Sequence, residues 1–184
     1  MKLTSTGICP EAPYPTQVRQ IVAAVKHLLK SRASETIHFS GDSAGGALTL
    51  ALLLHHSHPH PTISPYTLPT GSRFGNILLI SPGAPTPGIK TTASFKEDPN
   101  PDIVTPEMLD HFWSTITSTS EKGIEMPNPW IEFSSAPEEW WKDLPASEVK
   151  VIVGGAEVLR DYIGIWSGHL KVRYLHSLML NSKS

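Results

Sequence analysis

The sequence is short of cysteine, of charge and of long apolar runs, and each shortage removes a class of protein. A single cysteine, Cys9, excludes an internal disulfide framework and a cysteine-built metal site, and fits a reducing compartment. Charged residues make up only 17% and the net charge is −2, so there is no basic face for nucleic acid or for an anionic membrane surface. The longest largely apolar run, residues 47–54 with Thr49 within it, is far below the roughly 20 residues of a membrane span. Residues 1–10 hold no apolar stretch of the signal-peptide kind. The expectation is a soluble, cytoplasmic chain that binds no metal or cofactor and has neither nucleic acid nor membrane as partner.

What is present fits one domain. At 184 residues and 39% hydrophobic content the chain can bury one core. Its 17 prolines gather at 59–69, 82–87, 99–106 and 127–145, which marks long loops between elements.

Apolar residues at Val18, Ile21, Val22, Val25, Leu28 and Leu29 have the spacing of a one-sided helix, expected over 16–31. Ile37 and Phe39 alternate as a short strand that Ser40 and Gly41 should break. Residues 44–54 carry almost no polar side chain, so this helix should be buried on most sides. Residues 76–82 read as a parallel strand buried on both faces. Thr105 and Pro106 read as N-cap and first position of a helix to about Trp113. Residues 149–153 form the last clear strand, followed by a helical stretch to about Leu170 and a possible strand at 172–175. The weakly periodic segment 83–145 could form a cap-like insert over a site.

Four imidazoles at His55, His56, His58 and His60 have the density of a metal site. Prolines break the run and no acid or cysteine lies nearby, so the reading is a helix end entering a solvated loop, its histidines favoured by the C-terminal dipole. Trp130, Trp140 and Trp141 read as aromatics anchoring loops to the core.

The chemistry gathers at residues 37–46, IHFSGDSAGG, where an apolar strand meets a Gly-x-Ser-x-Gly turn and a helix-forming run. A serine on such a turn projects its hydroxyl from a strained backbone, and Gly41 and Gly45 stand where a side chain is expected not to fit. Ser43 is the candidate nucleophile. Trypsin-like peptidases carry a similar Gly-Asp-Ser-Gly-Gly string, but they are disulfide-bearing β-barrels, which the buried helix and lone cysteine contradict.

GDSAGG at 41–46, together with GAEVLRD at 155–161, resembles the hormone-sensitive-lipase-like esterases of the α/β-hydrolase fold. CPEAPYPTQ at 9–17 and HPHP at 58–61 resemble the fungal branch that includes the steryl acetyl hydrolases. The resemblance spans roughly residues 8–170. It implies an α/β-hydrolase fold, a mostly parallel sheet with helices on both faces, and a serine carboxylesterase acting on a lipophilic small-molecule ester, with a short acyl group such as acetate. Ser43 would be the nucleophile and the Ala44 N–H would face the oxyanion, with Gly41, Asp42, Gly45 and Gly46 shaping the turn. Glu157 stands where the family's acid lies, and Asp161 is the alternative, otherwise capping the helix after it. Arg160 would pair with a local carboxylate. No histidine-glycine-glycine run occurs in residues 1–17, and His176 is the candidate base in the right order along the chain. The chain is thus expected to be part of a longer esterase, incomplete at both ends. The alternative is a catalytically impaired fragment that keeps the fold.

Overall fold

The computed structural model describes residues 7–83, 87–96, 102–126, 128–170 and 177–180. Helix α1, Thr16–Leu28, buries Val18, Ile21, Val22 and Val25, one side of the expected stripe. Strand β1 is Phe39–Asp42, and helix α2, Ala44–Ser57, leaves it after a single residue. Strand β2 spans Phe74–Ile80. A short helix α3, Ala93–Lys96, precedes helix α4, Pro106–Thr119. Strand β3, Ala146–Gly154, leads to helix α5, Arg160–Ser167, and strand β4 is Ser177–Leu180. The four strands pair in parallel in the order β1-β2-β3-β4. Among the described residues, no helix is long and apolar enough to cross a membrane.

Strand β1 runs through Ser40 and Gly41 rather than stopping there, because both pair in register with Leu78 and Leu79 of β2. A ladder formed with a neighbouring strand outweighs a local turn signal. Strand β2 departs from the expectation of burial on both faces. Ile77 and Leu79 are buried beside Val149 and Val151 of β3, whereas Asn76 is exposed, Leu78 half-buried and Ile80 36% exposed. Among the described residues, one face of the sheet is therefore covered well and the other poorly.

The covered side holds the core. Leu50, Leu52, Leu53 and Leu54 of α2 are fully buried, each contributing about 1.5–3 kcal/mol of apolar burial. Trp141 stacks on Trp166 of α5 with ring centres 5.4 Å apart, and Phe133 meets Trp166 edge-on. Trp130 donates its indole N–H to the His58 carbonyl at 2.9 Å, and Trp140 stacks on the His58 ring at 4.2 Å. The tryptophans thus anchor the proline-broken loops.

The histidine run is packed, not solvated. Its first two members lie within α2, which extends three residues past the expected Leu54. His55 and His60 are buried, at 0% and 2% exposure, and the His60 N–H donates to His55 Nδ1 at 2.9 Å. Burial pushes His55 and His56 below the usual histidine range and pushes His60 down to about 4. Neutral rings gain nothing from the helix dipole as charges, so packing and hydrogen bonding explain them instead.

The strand expected at 172–175 and the candidate base His176 lie outside the described residues. The strand described nearest to them, β4, follows His176 in the chain.

Candidate active site

In a parallel sheet the ends of all strands share one edge, and residues just past those ends converge there. Ser43 follows β1, Ser81 follows β2 and Glu157 follows β3 by three residues. The Ser43 N–H donates to the Ile80 carbonyl at 2.9 Å, the Ser81 N–H to the Ile152 carbonyl at 2.7 Å, and the Ser81 hydroxyl to Glu157 Oε1 at 2.7 Å. A chain of bonds therefore runs from the turn at Ser43 across β2 to Glu157.

Ser43 has φ 50° and ψ −118°, a backbone conformation sparsely populated by residues with a side chain, and it is exposed. It occupies the N-cap position of α2, yet its hydroxyl makes no capping bond. Thr105, the N-cap of α4, behaves as such residues ordinarily do, its hydroxyl accepting the Met108 N–H at 3.3 Å. Ser43 is thus an exposed residue whose hydroxyl is not spent on the helix end. The Ala44 N–H, at the first position of α2, has no partner among the described residues and lies at the positive end of the helix dipole.

The turn's glycines divide differently from the expectation. A Cβ on Gly41 would lie 2.4 Å from the Gly45 carbonyl oxygen, and one on Gly46 would lie 2.7 Å from Pro82 Cβ. A Cβ on Gly45 would meet nothing within 4 Å. Gly41 and Gly46 are the sterically required pair, and Gly45 matters through its backbone, which fills the space beside Gly41. Asp42 is exposed at the end of β1.

Ser43, Ala44 and Gly45 open onto a cleft of about 1440 Å³. Its wall near the turn is apolar, built by Leu109, Phe112 and Ile116 of α4 with Trp130, Ile131 and Leu159. The size exceeds that of an ordinary small-molecule pocket because the cleft continues along the outer edge of β1, past Phe39, to Ile21 and Leu28 of α1.

The two candidate acids are held in different ways. Glu157 Oε1 accepts the Ser81 hydroxyl and the Gly154 N–H, each at 2.7 Å, and Oε2 has no partner among the described residues. Asp161 has both oxygens engaged, Oδ1 by Arg160 Nε and Oδ2 by the Ser94 N–H, each at 2.8 Å. The hydrogen bond from Arg160, ahead of that from Ser94, holds its carboxyl below the usual range. Asp161 therefore ties α5 to the start of α3 and does not cap the helix that follows Glu157, since it sits inside that helix's first turn. Arg160 pairs locally, as expected, and also donates to the Gly155 carbonyl at 2.7 Å.

Ser81 was not legible as a site residue. Serine before proline signals a turn, but neither its φ of 43° nor its bond to Glu157 follows from residue type. Among the described residues, no three His, Cys, Asp or Glu side chains converge to hold a metal ion.

Residues 8–163 match the family described as alpha/beta hydrolase fold, which covers most of the chain. The chain belongs to that family. Among solved structures, this chain is similar to an EstE5–PMSF complex, with 25% identity and a TM-score of 0.74 over 97% of this chain and 54% of that one. It is also similar to carboxyl esterase 2 (TmelEST2) of the mycorrhizal fungus Tuber melanosporum, with 22% identity and a TM-score of 0.69 over 95% of this chain and 55% of that one. An esterase of the bacterial hormone-sensitive lipase family gives 24% identity and a TM-score of 0.69 over 95% and 54%. The chain thus spans about half the length of the structures it matches. No curated protein matches it in sequence.

Proposed function

We propose that the chain carries the nucleophile and acid of a carboxylic ester hydrolase of the hormone-sensitive-lipase type. The observation that carries this reading is Ser43: an exposed serine at φ 50°, in a helix N-cap position whose hydroxyl makes no cap. Strain and an unspent hydroxyl together are what a nucleophile needs and a structural serine does not.

In this reading Ser43 Oγ attacks the ester carbonyl while a histidine takes its proton. The oxyanion that forms is held by the Ala44 N–H at the start of α2. The histidine returns the proton to the departing alcohol, water then attacks the acyl-serine, and the acid is released. Glu157, with Oε2 unengaged among the described residues, orients that histidine. His176 is this chain's candidate for the histidine. The apolar wall of Leu109, Phe112 and Ile116 suits a lipophilic ester, and the segment 83–145, which contains α4, acts as the cap over it. The likeness of residues 9–17 to the fungal steryl acetyl hydrolases favours a short acyl group on a bulky alcohol.

A fluorophosphonate probe on the folded chain tests the reading. The expected result is one adduct, on Ser43, absent from Ser43→Ala. An unlabelled Ser43 in a chain whose circular dichroism shows it folded overturns it.

A further inference from the structure

Glu157 is held more elaborately than its place in the reaction requires. A glutamate has three side-chain torsions, and fixing a long side chain costs up to about 2 kcal/mol of rotamer entropy. Two donors meet that need on a single oxygen: the Ser81 hydroxyl and the Gly154 N–H both reach Oε1 at 2.7 Å. Gly154 gives the carboxylate room to approach, since a Cβ there would lie 2.7 Å from Oε1. Ser81 is itself over-determined. Its φ of 43° is unfavourable for a serine, and it is kept there by its N–H bond to the Ile152 carbonyl at 2.7 Å. Besides Ser43, Ser81 is the other non-glycine residue with positive φ among the described residues. Strain is stored just past the ends of β1 and β2; the Ser81 hydroxyl is spent on Glu157, and the Ser43 hydroxyl makes no helix cap.

We propose that Ser81 is a positioning residue that acts through Glu157. Its hydroxyl and the Gly154 N–H form a two-donor clamp on Oε1, and the clamp fixes where Oε2 can accept an imidazole N–H. This rests on the reading of Glu157 as the acid of a Ser43-dependent hydrolase. Ser81 is not among the residues that line the cleft and its hydroxyl is spent on Glu157, so its loss changes the rate of the chemical step and leaves binding alone.

Two measurements on the full chain separate the clamp from the reaction. Ser81→Gly removes the hydroxyl while tolerating the positive φ, so the backbone is kept. Amide hydrogen exchange then reads the clamp without any turnover: Gly154 exchanges about 10-fold faster in Ser81→Gly, and at least as fast in Glu157→Ala, because the acceptor has loosened or gone. Unchanged Gly154 exchange in Ser81→Gly overturns the clamp. Labelling of Ser43 by a fluorophosphonate reads the consequence. Its limiting rate falls about 10-fold in Ser81→Gly at an unchanged half-saturating probe concentration. Gly154→Ala, which pushes Oε1 aside with both partners still present, behaves in the same way. A wild-type labelling rate in Ser81→Gly overturns the positioning role. Absence of labelling in the unmodified chain defeats the hydrolase reading instead, with the exchange result still deciding whether the clamp exists.

Discussion

At its first residue helix α2 meets a backbone strained to φ 50° and open to solvent, whereas at its last turn the same helix is buried and closed by its neighbours. Among the described residues, the start has an uncapped hydroxyl on Ser43 and an unpartnered N–H on Ala44. The end has His55 accepting from the His60 backbone, His60 accepting the Thr62 N–H at 3.2 Å, and Tyr66 donating to the Leu52 carbonyl at 3.1 Å. The histidines that look most like chemistry in the sequence therefore do packing work. The serine that could pass for an ordinary helix start has no side-chain bond among the described residues. On the proposed reading, polar groups left unspent beside a strained backbone point to a site better than a local density of reactive residue types.

The sharpest way to break this comparison is to fill the space on which the strained end depends. Gly41→Ala places a Cβ within 2.6 Å of the Gly45 carbonyl and the Gly46 nitrogen, backbone atoms that cannot move without unwinding the start of α2. A loss of about 3 kcal/mol is expected, read as a fall in the urea midpoint. Gly45→Ala, four residues on and equally part of the motif, meets nothing within 4 Å and should gain about 0.5–1 kcal/mol from helix propensity. Equal effects of the two substitutions would mean that the turn is not built as described.

The relaxed end should break with acid. His60 is buried against Trp130 and Tyr14 and has a pKa of about 4, against a usual value near 6.5. Burial is the main cause, and the neighbouring His55 and Arg19 add to it while Glu121 opposes it. Between those two values the unfolded chain binds the proton and the folded chain does not, so stability rises with pH across that window. The contribution is fully present above about pH 6.5 and is lost as the pH falls toward 4, amounting to about 3 kcal/mol. Urea midpoints at pH 7.5 and 4.5 measure it. His60→Asn, whose side-chain oxygen can accept in place of Nδ1, should remove most of that slope, even though lost ring packing lowers stability at pH 7.5.

Much of the frame was legible because it depends on local patterning. The stripe from Val18 to Val25, the largely apolar residues 47–54 and the Thr105-Pro106 start each follow from spacing or cap chemistry, and each helix starts where they put it, although α1 ends at Leu28 rather than 31 and α4 runs on to Thr119, past the expected Trp113. Ser43 past β1 and Glu157 past β3 stand beyond strand ends that the same pattern located. What was not legible depends on neighbours distant in sequence. Pairing with β2 carries β1 through Gly41, and Trp130 and Tyr14 bury His60, about 70 and 46 residues away in the chain. The contrast between Gly41 and Gly45 is of the same kind, since identical residues in one motif differ only in what stands beside their hydrogens.

The smallest expected effect tests the strain itself. If φ 50° at Ser43 costs free energy, Ser43→Gly should stabilise the fold, because glycine adopts that conformation without a Cβ penalty. Ser43→Ala keeps the Cβ and removes only the hydroxyl, so the difference between the two variants isolates the backbone term. Relief of strain is worth about 1–3 kcal/mol, and glycine's greater unfolded-state freedom takes back up to about 1 kcal/mol, leaving a net gain of about 1 kcal/mol for Ser43→Gly over Ser43→Ala. Both variants lose fluorophosphonate labelling, so stability and reactivity move in opposite directions at a single residue. The same exchange at Thr105 should run the other way: with a functioning cap at stake, Thr105→Ala costs about 1 kcal/mol and Thr105→Gly only a few tenths. A gain at Ser43 beside a loss at Thr105 would separate a serine held for chemistry from a threonine held for structure, in two N-cap positions of one chain.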